Sequence, residues 1–72
     1  MRVLLVNNEG VGFADYIEVN DGITVAELFT QQMGDRSPDS FMVRVNREQV
    51  SGDSVLTEGD RVTITPTNIE GA

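Results

Sequence analysis

The chain has no cysteine and no histidine, which removes most of the chemistry a small protein can carry on its own side chains. Without cysteine there is no disulfide framework, no thiolate metal site and no thiol nucleophile. Without histidine the commonest general base and the commonest metal ligand are gone. Lysine is missing too, since the 5 basic residues are Arg2, Arg36, Arg44, Arg47 and Arg61. No side-chain amine is therefore on offer as an acceptor, and lysine-linked polymers of this chain cannot form. No apolar stretch approaches the roughly 20 residues that span a bilayer. The run over residues 1–6 is too short for a signal peptide and reads as a strand. These absences do not decide the compartment but fit a cytoplasmic chain, and they predict one that is not itself an enzyme and holds neither metal nor cofactor.

What is present is acid. The 12 acidic residues outnumber the basic ones and leave a net charge of −7. That sign opposes binding to nucleic acid or anionic lipid, both of which need protein cations to displace counterions. It favours solubility and would speed docking to a basic protein partner. At 72 residues the chain makes one small domain, expected to be monomeric alone. A chain of this size buries only about 60% of the surface its unfolded form exposes, so its core must be economical.

Alternation organises the first third. Val3 and Leu5 point to one face of a first strand and Arg2, Leu4 and Val6 to the other; the arginine prefers water, so Val3 and Leu5 belong to the core. Asn7 to Gly12 reads as a turn. The lone Gly10-Val11-Gly12 lacks the strand-to-helix setting of a phosphate cradle and is turn geometry. Phe13 to Val19 forms a second strand, antiparallel to the first. A helix start follows, with Thr24 and Glu27 spaced for a capping box and Ile23 placed to pack on Leu28 as a hydrophobic staple. Val25, Leu28, Phe29 and Met33 make one apolar stripe, and Gly34 sits where a left-handed C-terminal cap belongs.

The second half reads as strands again. A loop around Ser37-Pro38 leads to Phe41, Val43 and Val45, which alternate with Met42, Arg44 and Asn46. Asn46-Arg47 is a tight turn into a short strand at Glu48 to Val50. Residues 51–58 are irregular, with Val55 and Leu56 as the expected anchors. Arg61 to Thr65 is the last strand, with Val62 and Ile64 inward, and Pro66 lacks the amide proton needed to continue its ladder. Asp53, Glu58 and Asp60 do not follow an EF-hand spacing and read as solvated loop carboxylates. One helix with a single apolar stripe needs one sheet to cover, so the class is α+β. Pairing the first and last strands in parallel gives a mixed four- to five-stranded sheet with the helix across one face, the ubiquitin-like β-grasp.

Particular residues point to a family. Val45-Asn46, Val50, Leu56, Gly59-Asp60-Arg61-Val62 and Ile64, with Thr24-Val25-Ala26-Glu27-Leu28 at the helix start, resemble the ThiS/MoaD sulfur carriers. TGS domains of regulatory and translation proteins look similar over the same stretch. The resemblance implies a domain over residues 1–65 and a flexible tail over residues 66–72. It implies a tail carboxylate adenylated by a ubiquitin-activating-type enzyme and then converted to a thiocarboxylate. Such a protein is a substrate and needs no catalytic side chains. Glycine suits a tail that must thread a narrow channel, because it has no Cβ. Seven residues from Pro66 reach about 23–25 Å when extended.

Gly71 matches the first glycine of the family's terminal pair, while Ala72 stands in place of the second. Three readings stay open: a partner channel that accepts alanine, removal of Ala72 by a protease, or a domain that works by binding alone. The resemblance also implies a docking face on the side of the sheet away from the helix. Leu4, Val6 and Met42 point outward there, with Arg44, Thr63 and Thr65 around them. The rival reading is a non-enzymatic β-grasp interaction module with no tail chemistry.

Overall fold

The computed structural model describes residues 1–67. Five strands form one mixed sheet in the order β2-β1-β5-β3-β4. They are β1 (Arg2–Asn7), β2 (Phe13–Glu18), β3 (Phe41–Val45), β4 (Glu48–Gln49) and β5 (Arg61–Pro66). A single helix, α1 (Val25–Met33), crosses one face. β1 and β5 lie side by side in parallel at the centre, and every other pairing is antiparallel. This is the expected β-grasp.

The core follows the sequence alternation. Val3, Val62, Leu56 and Val19 pack with Ile23, Val25 and Leu28 in one cluster. Leu5, Ile64 and Phe41 pack with Phe29 and Met33 in a second. Phe29 and Phe41 meet edge to face with ring centroids 5.5 Å apart, the arrangement aromatic quadrupoles favour.

The helix start is built as expected. The Glu27 N–H donates to Thr24 Oγ1 at 3.2 Å, and Glu27 Oε1 accepts from the Thr24 N–H at 2.9 Å. Thr24→Ala is expected to cost about 1 kcal/mol, lowering Tm by roughly 4–8 °C for a domain of this size. Thermal unfolding followed by circular dichroism checks this. At the other end Gly34 has the expected positive φ of 65°, but its ψ of −127° lies outside the left-handed helical well. That conformation is open to glycine alone, and it still lets the Gly34 N–H cap the Thr30 carbonyl at 2.9 Å.

Three local expectations are corrected. Val55 is not an anchor: it is 59% exposed, whereas Leu56 is buried. Its contribution is backbone pairing with Thr24, so the period-two alternation sends only Leu56 inward. The loop around Pro38 holds a single 3₁₀ turn, Pro38–Ser40. Pro66 does not end the ladder: it pairs opposite Phe41, and the next amide, Thr67 N–H, donates to the Ser40 carbonyl at 2.9 Å. In β5 the amides of Arg61 and Thr67 point toward the β3 side. The missing N–H of Pro66 therefore falls on the β1 side, beyond the last residue of β1.

The turn before β5 is held by Asp60. Burial pushes its carboxyl up, but hydrogen bonds from the Thr57 N–H and the Asn46 side-chain amide outweigh this and leave it below the usual carboxylate range. A lowered folded-state pKa contributes stability that is present above the unfolded value, about 3.9, and is lost as pH falls through the folded value. Asp60→Asn is therefore expected to be less stable than the native chain at pH 7. The difference should narrow below about pH 4, as read by urea midpoints across a pH series.

Candidate functional site

The outer face of the sheet is set by register. Leu4 lies beside Tyr16 on one flank and Arg61 on the other. One row further along, Val6 lies beside Ala14 and Thr63, and Thr63 lies beside Arg44. Met42 then pairs with Thr65. Leu4, Val6, Met42, Arg44 and Thr63 thus share one side of the sheet across three neighbouring strands, while Val3, Leu5, Val43, Val62 and Ile64 face the helix. Leu4, Val6, Met42 and Thr63 are half-buried, and Arg44 is exposed.

Two residues of this face were not singled out by the sequence pattern. Tyr16 is 56% exposed and stands beside Leu4, with the Arg2 guanidinium 5.9 Å from its ring centroid. The signal was available, because inward Ile17 forces its neighbour outward. Arg61 completes the row. Among the described residues the side-chain ion pairs on arginine are Arg2 with Glu18 and Arg36 with Glu9; Arg44 and Arg61 take no part in them. The outer face therefore presents the cations Arg44 and Arg61 beside its apolar residues, although the chain as a whole is acidic.

The end of β5 is clamped at one edge of this face. The Asn8 N–H donates to the Ile64 carbonyl at 2.9 Å, and Asn8 Nδ2 donates to Thr65 Oγ1 at 3.1 Å. On the opposite side Thr67 is tied to Ser40. Pro66, the last residue of β5, lies opposite Phe41, one position beyond the Met42–Thr65 pair. Gly71 and Ala72, the expected reactive tail, lie outside the described residues. Among the described residues no polar or charged residue is buried, and no cluster of carboxylates could hold a metal ion.

The ThiS family model matches residues 3–67, nearly the whole described chain. The chain belongs to the ThiS family. No curated protein sequence matches it. Solved ubiquitin-like proteins share the fold of this ThiS family member. A ubiquitin-like protein from the hyperthermophilic archaeon Caldiarchaeum subterraneum superposes with a TM-score of 0.71 at 18% identity, covering 96% of this chain and 99% of that one. Caldiarchaeum subterraneum ubiquitin gives 0.73 at 19% identity, covering 99% and 98%. SAMP1 from Haloferax volcanii gives 0.72 at 17% identity over the full length of both. At such identities the likeness is one of fold. No helix among the described residues is long and apolar enough to cross a membrane.

Proposed function

We propose that this ubiquitin-like small protein of the ThiS family is a protein substrate. In this reading its outer sheet face docks on a ubiquitin-activating-type adenylating enzyme, and its tail enters that enzyme's ATP site. The observation that carries the reading is the position of the end of β5, one residue beyond the Met42–Thr65 pair at the edge of the half-buried apolar face. Docking through Leu4, Val6 and Met42 would bring the following residues against the same partner. With Ala72 as the terminal residue, its carboxylate attacks the α-phosphate of ATP and releases pyrophosphate. Sulfide from a sulfur donor then attacks the acyl carbon, forming a C–S bond as the C–O bond to AMP breaks, and leaves a thiocarboxylate. Nothing in this sequence of steps requires a catalytic group from the small protein.

Intact mass after incubation with an activating enzyme, ATP and a sulfur donor tests the proposal. Replacement of one oxygen by sulfur supports it, and an unchanged mass with several such enzymes overturns it. A second reading is favoured by Ala72, whose methyl group would crowd the reacting carbon: an interaction module that has left carrier work. A crowding penalty of only ~1.4 kcal/mol slows a step tenfold. If Ala72→Gly reacts and the native chain does not, the second reading holds.

A further inference from the structure

The five arginines are unevenly distributed over the fold, and strand register puts Arg2, Arg44 and Arg61 on the outer face of the sheet. Among the outward strand positions only Glu18 is acidic, opposite Arg2 on the neighbouring strand. This face therefore carries three positive charges against one negative, in a chain whose net charge is −7. Glu18 is already engaged, with Oε2 3.6 Å from Arg2 Nε.

Arg44 and Arg61 have no such partner among the described residues. Thr63 lies beside Arg44, and Arg61 stands two residues before Thr63 on the same side of β5. The two arginines are thus diagonal neighbours, about 7–8 Å apart at the backbone and within reach of each other's long side chains. Like charges so placed repel. The carboxylates nearest in sequence are held elsewhere. Asp60 accepts from the Thr57 N–H and from Asn46 Nδ2, both at 2.9 Å. Glu58 Oε1 accepts from the Arg2 N–H at 3.0 Å. Glu48 lies opposite Val45, which packs on the core on the helix side. The β4 residue beside Arg44 is Gln49, which is uncharged.

We infer that the protein surface docking on the outer face is acidic where it meets Arg44 and Arg61 and apolar where it meets Leu4 and Val6. A carboxylate set between two guanidiniums relieves their repulsion, and each planar fork matches its pair of oxygens. The sign is opposite to the one the net charge suggests. At 0.1 M salt, exposed charges more than about 10 Å away are largely screened, so at contact the local arginines outweigh the distant carboxylates. Nucleic acid brings negative charge too, but it needs cations along a continuous phosphate track, and the rest of this chain supplies mainly acid. The inference rests on the outer face as the docking surface of the proposed function, and is independent of the tail reaction.

The test titrates the full-length, ¹⁵N-labelled chain with two capped peptides, Glu-Asp-Leu-Phe-Asp-Glu and Arg-Lys-Leu-Phe-Lys-Arg. The acidic peptide is expected to shift the amides of Leu4, Val6, Arg44 and Thr63, and the basic one to bind there at least ~10-fold more weakly. The Arg44→Glu, Arg61→Glu variant is expected to invert that preference, a rescue that mere loss of structure would not produce. The Arg44→Gln, Arg61→Gln variant removes the charge without reversing it and is expected to abolish the preference. The inference is overturned if no outer-face amide shifts, if the native chain takes both peptides equally, or if the glutamate variant keeps the native preference. Shifts of the same amides by octauridylate at lower concentration than by the acidic peptide would overturn it equally. Equal kcat/KM for tail adenylation of the native chain and the glutamate variant would overturn it while the carrier reading stands. A native chain that prefers the acidic peptide but is never modified would support it while the carrier reading falls.

Discussion

Leu28→Ala is expected to lower the free energy of unfolding by about 3–5 kcal/mol. Leu28 has no exposed surface and packs with Val3, Val25, Leu56 and Val62, so truncation removes apolar burial and leaves a cavity that the surrounding strands cannot close. The total stability of a chain this size is about 4–11 kcal/mol. The variant is therefore expected to sit close to the folding threshold at 37 °C. Urea unfolding followed by fluorescence or circular dichroism measures the loss. Val55→Ala is the internal control: its side chain is mostly exposed, and its expected change is within about 0.5 kcal/mol. Equal losses at the two positions would contradict the packing described for the segment between β4 and β5.

Val6→Arg is expected to separate stability from docking. Val6 sits on the outer face between Ala14 and Thr63, away from the helix, so its replacement leaves the core intact. If that face is buried against an activating enzyme, the variant loses the valine's burial, worth about 2 kcal/mol. It also places a cation where apolar contact was made, beside Thr63 and near Arg44. The expected result is a fall of about 30-fold or more in kcat/KM for tail adenylation. The urea midpoint of Val6→Arg itself should stay unchanged. The helix-side variant Thr30→Arg should adenylate at the native rate. A Val6→Arg protein that reacts normally would remove the outer face from the proposed mechanism while leaving the tail chemistry itself standing.

Much of the fold was legible because the local signals agreed with one another. Thr24 and Glu27 carry the capping box, the stripe from Val25 to Met33 needs one apolar surface, and Val62 and Ile64 supply part of it from the last strand. Misreadings fell where backbone and side chain part company. Val55 is apolar and sits in an irregular segment, so composition suggests an anchor; only the bridge to Thr24 shows that its backbone is what is used. Pro66 lacks a donor, but the consequence depends on which neighbour that donor would have faced. The outer face could be assembled from alternation within each strand. The exact end of β4 could not be read, because so short a strand carries almost no periodic signal: Glu48 to Val50 is expected and Glu48–Gln49 is found. Gly71 and Ala72 are a different case: their reading comes from family likeness alone.

The adjacency of β1 and β5 at the centre of the sheet has a consequence for how the molecule is made. Residues 61–66 supply the central rung, so a nascent polypeptide lacking them has β1 and β3 with nothing between. Such pairing between segments nearly 60 residues apart is slow to close, because loop entropy is lost before the contact is made. Folding of the body thus waits until the ribosome has delivered residues 61–66. Under the carrier reading, an unfinished chain would offer an activating enzyme no assembled surface to grip, and premature products of translation would be excluded from sulfur loading without any dedicated inspection step.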